Sequence, residues 1–150
     1  MGPELAFGKR VTAALKSLGC DVERIENRIN AGVPDLLIGV AGQFVMVELK
    51  RVQHGKLVKI SPHQVAFHVR HARKGRPCFV LIHQDEKSTR PGGIFLYRGA
   101  DAIAIYERGL EVEPLAKWGI KEIDWAELVA YLSGDQKPLE NSISEDSKNG

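Results

Sequence analysis

Asp35, Glu48 and Lys50 are the residues of this sequence whose types and spacing could do chemistry. Leu36-Leu37-Ile38-Gly39-Val40 and Phe44-Val45-Met46-Val47-Glu48-Leu49 read as two strands flanking Ala41-Gly42-Gln43, a hairpin pattern. With the shortest loop, two residues at Ala41-Gly42, Val40 pairs with Gln43 and the register carries Asp35 opposite Glu48. One face is then wholly apolar: Leu36, Ile38, Val40, Val45, Val47 and Leu49. The other holds Asp35, Leu37, Gly39, Phe44, Met46, Glu48 and Lys50, apolar until its end, where the charges converge. Two carboxylates facing across strands lie ~4.5–5.5 Å apart at Cβ and repel. A divalent cation between them makes that repulsion useful. Carboxylate oxygens with retained waters describe a Mg²⁺ site acting on phosphates. Lys50, on the same face, can hold a phosphate or orient a water. The plain alternative is a salt-bridged strand end in which Lys50 neutralises both acids.

Around the hairpin, the spacing predicts a first helix over the opening twenty residues, with Leu5, Val11, Ala14, Leu15 and Leu18 on its apolar face and Gly19 as its stop. A short strand over Asp21–Glu26 and a loop over Asn27–Gly32 lead into the hairpin. Ser61-Pro62-His63-Gln64 is a capping box that opens a second helix, with Val65, Phe67, Val69 and Ala72 facing inward and Gly75 ending it. Cys78–Ile82 reads as a central strand, and Ile94–Tyr97 and Ala102–Tyr106 as further strands. Asp124-Trp125-Ala126-Glu127 opens a last helix through Leu132. The order helix, strand, hairpin, helix, strand gives an α/β class, a mixed sheet with helices packed on it. The expected division is a core over 1–100, an extension packed on it over 101–133, and a polar, disordered tail over 134–150.

Composition sets the outer bounds. At 150 residues, 43% hydrophobic and 27% charged, the chain suits one soluble domain with a real core. It has no apolar run of membrane length and no signal-peptide pattern at Met-Gly-Pro-Glu. Two cysteines, Cys20 and Cys78, make no disulfide framework, and a reducing cytoplasm (bacterial, archaeal or phage-infected) is the expected setting. The net charge of +2 conceals an asymmetry: residues 1–100 carry 16 Lys/Arg against 8 Asp/Glu, and residues 101–150 carry 5 against 11. From Arg51 to Gln84 there are seven Lys/Arg, all five histidines and no acid. Such a run is either a solvated face or a phosphate-binding surface.

Gly32-Val33-Pro34-Asp35, Val47-Glu48-Leu49-Lys50 and Ser61-Pro62-His63-Gln64, in this element order, resemble the PD-(D/E)XK nuclease superfamily. Within it the likeness is to VRR-NUC type nucleases and archaeal-type Holliday junction resolvases, over about residues 4–82. The resemblance implies a restriction-endonuclease-like αβββαβ core and a phosphodiesterase dependent on Mg²⁺ or Mn²⁺. It implies that Asp35 and Glu48 bind metal with help from the Leu49 carbonyl, and that Lys50 supports the attacking water. Glu4 matches an acid that such families add from the first helix, although an acid at a first turn also suits the helix dipole. Gln64 matches a glutamine near the active site. Its capping-box role is expected to compete with this, because a side chain turned back onto the cap amide cannot also face a metal.

The basic segment supplies the DNA-contact candidates: Arg51, His54, Lys56, Lys59 and His63, then Arg70, Arg73 and Lys74 on the second helix, with Arg28 and Asn30 before the motif. The histidines (His54, His63, His68, His71, His83) lack HExxH spacing and read as surface or DNA-facing groups rather than a zinc site. Trp118 and Trp125 are expected to anchor the C-terminal segment. The reading is therefore a metal-dependent DNA endonuclease that selects branched DNA by shape, through phosphate contacts on a homodimer, as in recombination and repair. A flap, nick or general nuclease is the enzymatic alternative, and a non-catalytic DNA-binding module is the alternative of another class.

Overall fold

The computed structural model describes residues 3–25 and 32–134, without the side chains of residues 3 and 4. Helix α1 (Pro3–Ser17) is followed by β1 (Asp21–Arg24), β2 (Leu36–Val40) and β3 (Gln43–Val52), then α2 (Pro62–Arg73) and β4 (Cys78–Gln84). That is the expected α-β-β-β-α-β order. Next come β5 (Gly93–Arg98), a 3-10 turn at Gly99–Asp101, α3 (Ala102–Arg108), β6 (Ala116–Trp118) and α4 (Trp125–Ser133). The strands form one six-stranded sheet in sequence order, antiparallel except for the β3–β4 pair. The helix between β3 and β4 is the crossover that a parallel pair requires.

The β2–β3 hairpin turns at Ala41 (φ 53°) and Gly42 (φ 74°), both left-handed, as a two-residue primed turn demands. Val40 pairs with Gln43, and the ladder runs to Leu36–Val47. Each face of the sheet then builds its own core. Leu36, Ile38, Val45, Val47, Leu49 and Leu81 pack against Phe7, Val11 and Leu15 of α1 and Leu128 and Leu132 of α4. The seam on α1 is Phe7–Val11–Leu15, at i, i+4 spacing, while Leu18 is left 46% exposed. On the opposite face Val52, Val80, Ile82, Phe95 and Tyr97 pack against Ala102 and Ile105 of α3.

Three local expectations are corrected. Ala102–Tyr106 is helix, not strand: Ala102 and Ile105, three apart, are buried, and Ile103 and Tyr106 face out. The α2 residues that bury fully are Phe67 and His68, with Val65, Val69 and Ala72 only partly covered. Asp124 caps α4, accepting from the Glu127 N–H, but the Glu127 side chain accepts from Trp118 Nε1 (2.7 Å) rather than closing the box. The short strand β6 had no expectation. Residues 26–31 and 135–150, which include most of the expected loop and tail, lie outside the described residues. Among the described residues no helix is long and apolar enough to cross a membrane.

Candidate active site

Strand β3 outruns β2. Beyond Val47 its neighbour on that side is gone, and Asp35 stands where β2 would have continued. The Asp35 backbone carbonyl accepts from Ile25 N–H (2.8 Å), while its side-chain Oδ2 accepts from Leu49 N–H at 2.8 Å. The carboxylate thus takes the place of a ladder carbonyl, at the strand end where the extrapolated register put it.

Glu48 and Lys50 point to the α2 side of the sheet, their register partners on β4 being Val80 and Ile82. Glu48 is 1% exposed and Lys50 9%. Lys50 Nζ lies 3.6 Å from Glu48 Oε2. The same oxygen accepts from Gln64 Nε2 at 3.0 Å. Gln64 also closes the capping box: its Oε1 accepts from Ser61 N–H (2.9 Å), and its own N–H donates to Ser61 Oγ (3.1 Å). The expected competition between the two roles does not arise, because a carboxamide has an acceptor end and a donor end. One end caps α2 and the other holds Glu48.

Close backbone packing gathers the three motif segments. A Cβ on Gly32 would fall 2.4 Å from the His63 carbonyl oxygen, so the chain leading to Asp35 lies directly against the first turn of α2. On the far face a Cβ on Gly8 would crowd Leu49 and Arg24, which seats α1 closely on β3.

The structure therefore brings Asp35, Glu48, Lys50 and Gln64 together at one end of β3. The donor set of Asp35, Glu48 and the Leu49 carbonyl is all hard oxygen, which fits Mg²⁺ or Mn²⁺. Among the described residues no group of three His, Cys, Asp or Glu could hold a metal, so such an ion would keep much of its water shell. The Glu4 side chain lies outside the described part, as do Arg28 and Asn30. His54, Lys56, Lys59, His63, Arg70, Arg73 and Lys74 are all exposed. The loop that carries Lys56 is tied down by Leu110 N–H to the Lys56 carbonyl and by Gln84 Nε2 to the Gly55 carbonyl.

Arg51 departs from its expected place in that basic surface. One residue past Lys50, it points to the α1 side, where Nε donates to Asp85 Oδ1 (2.9 Å) and Nη2 pairs with Oδ2. Burial works to raise the Asp85 carboxyl, but the bonded Arg51 guanidinium outweighs it and holds the group below its usual range. Strand alternation carried this signal, since Arg51 shares the parity of Leu49 and not of Lys50.

His68 also departs from expectation. It is fully buried one turn beyond Gln64, and neither ring nitrogen has a hydrogen-bond partner among the described residues. A side chain at Gly99 would collide with its Nδ1 and with Cys78 Sγ. Burial, reinforced by the nearby charges of His71 and Lys50, brings the imidazole down to about 4, so it is neutral at physiological pH. Burial likewise pushes the Cys78 thiol up to about 11, which leaves it inert.

A 1.6 Å resolution structure of Hjc from Archaeoglobus fulgidus, a Holliday junction resolvase from an archaeal hyperthermophile, is similar to this chain. The TM-score is 0.50, the likeness spans 83% of this chain and 98% of that one, and identity is 16%. The two share a fold. No family model and no curated protein matches the chain.

Proposed function

We propose that this chain is a metal-dependent DNA endonuclease of PD-(D/E)XK type that cuts branched DNA. The observation that carries the reading is the buried Glu48 carboxylate, held by Gln64 Nε2 and Lys50 Nζ at the open end of β3 where Asp35 arrives. Burying a carboxylate and an ammonium has a desolvation cost that apolar residues of similar size would avoid. A strand end serving only the fold has little use for that arrangement. A site for a cation and a phosphate does.

In this reading Asp35 and Glu48, with the Leu49 carbonyl, hold Mg²⁺ or Mn²⁺. The ion supplies Lewis-acid stabilisation of charge on the phosphoryl and leaving oxygens. Gln64 fixes the rotamer of Glu48, and α2 fixes Gln64 through the cap. Lys50, whose Nζ lies 3.6 Å from Glu48 Oε2, would orient a water toward a phosphodiester. The exposed Lys56 and Lys59, with Arg70, Arg73 and Lys74 on α2, supply cations along a DNA backbone.

The preference for junctions is carried over from the neighbour named above, a Holliday junction resolvase, and goes with a sequence that shows no recognition helix or zinc finger for reading a duplex. A four-way junction needs two symmetric cuts, so a homodimer goes with this reading. Labelled four-way junction, flap, splayed-arm and linear duplex DNA, each incubated with Mg²⁺ or with EDTA, test it together. Cutting of the junction in Mg²⁺ alone is the expected result. Equal cutting of all four would leave a general nuclease, and binding without cutting in any metal would leave a DNA-binding module.

A further inference from the structure

On the side of the sheet away from Glu48 and Lys50, a cavity of about 540 Å³ lies between the Asp85–Gly92 and Gly119–Glu122 segments. A second, of about 270 Å³, lies against Ala6, Phe7 and Arg10 of α1. Arg51 and His83, register partners on β3 and β4, line both. The combined size is that of a small-molecule pocket rather than a duplex groove.

We propose that this cleft receives an unpaired nucleobase of DNA bound at the Asp35–Glu48–Lys50 end, an inference that rests on the endonuclease reading. The lining decides the ligand class. Arg51, Arg10 and Lys121 are offset by Asp85, Glu86 and Glu122, so the cleft is no phosphate trap. Donors and acceptors side by side, with little net charge, match the edge of a base.

The flat surfaces match as well. The His83 ring lies in the wall of the smaller cavity, backed by the core residue Phe7 with ring centroids 5.2 Å apart and an inclination of 58°. His83 Nδ1 is turned to Asp85 Oδ1 at 3.2 Å. Burial lowers this imidazole, against the opposing pull of Asp85, so the ring is an uncharged surface at neutral pH. Asp85 accepts from Nε and Nη2 of Arg51 and holds the guanidinium in the cleft wall. Unpaired bases stack on aromatic rings and guanidinium planes of this kind. Arg51 follows Lys50 on β3, so the cleft and the candidate site lie on opposite faces of the same end of the strand.

The test compares a duplex carrying one extrahelical thymine with the same duplex fully paired, titrated in EDTA so that binding is read without cutting. Wild type is expected to favour the extrahelical base by on the order of tenfold, the size of one base stack. Arg51→Met combined with Asp85→Leu replaces the ion pair by apolar groups and so avoids a stranded charge. This variant is expected to lose the preference while keeping its affinity for the paired duplex. His83→Leu, which leaves the ion pair intact, is expected to lose part of it. No preference in wild type, or a preference unchanged in both variants, overturns the proposal and leaves the endonuclease reading standing. Failure to bind these duplexes and a four-way junction alike overturns that reading, and this inference with it; binding of the junction but of neither duplex overturns this inference alone.

Discussion

Gln64 joins Ser61 to Glu48 through the two ends of one carboxamide: Oε1 accepts from the Ser61 N–H, and Nε2 donates to Glu48 Oε2. The start of α2 and the buried carboxylate are thereby one hydrogen-bonded unit. Gln64→Ala removes half of a capping box and a hydrogen bond to a charge, and should destabilise the chain by about 2 kcal/mol or more. Gln64→Glu keeps an acceptor for the cap but sets a second carboxylate against Glu48. It should melt well below wild type in EDTA and regain part of the loss in Mg²⁺. Wild-type melting of both variants would mean that the unit does not form.

Metal binding can be read without activity. A cation that binds only the folded pair stabilises it by about 2.7 kcal/mol at one hundred times its dissociation constant. Wild type should therefore gain melting temperature in Mg²⁺, and Glu48→Gln should gain less. Equal gains would place the ion elsewhere.

His68 makes stability depend on pH. Its folded value of about 4 lies below the ordinary 6.5, so between these limits the unfolded chain binds a proton that the folded chain refuses. Stability is full above about pH 6.5 and declines as pH falls toward 4, by about 3 kcal/mol over the whole window. His71 and His83, also lowered by burial first, act in the same direction. His68→Leu should flatten most of the decline in denaturant melts between pH 7.5 and 5. An identical decline in the variant would show that His68 is not the group responsible.

The proposed DNA contacts are tested by salt. Each phosphate contact adds roughly 0.9 to the slope of log affinity against log salt. Neutralising Lys56 and Lys59 together should lower that slope by about two such increments, or ~1.8. Arg51 is left out of this set because Asp85 already pairs with it on the other side of the sheet. An unchanged slope would show that the loop faces away from DNA.

Much of this arrangement is legible in the sequence, for reasons that lie in particular residues. Ala41-Gly42 fixed the turn, and strict alternation around it fixed which side chains share a face, so Asp35, Glu48 and Lys50 could be placed at one end of the hairpin. Ala102–Tyr106 misled because alternating Ala and Ile also satisfies a short helix in which only every third residue buries. The double role of Gln64 was hidden because a capping box is visible locally, whereas its second partner is 16 residues away. Asp85 is not legible as the partner of Arg51, since an ion pair that reaches from β3 to the residue just past β4 leaves no mark in local spacing. Parity alone would have moved Arg51 to the correct face.

The central claim is that Asp35, Glu48 and Lys50 act on a phosphodiester and are not merely a strand end. It is tested most directly by a labelled four-way junction in Mg²⁺, cut by wild type and by Lys50→Met, with Lys50→Ala and Asp35→Ala alongside. Wild type should cleave, each variant should lose cleavage by orders of magnitude, and all should hold the junction with similar affinity in EDTA, because phosphate contacts supply most of the binding. A folded Lys50→Met that cuts as fast as wild type, in a preparation free of other nucleases, would contradict the account.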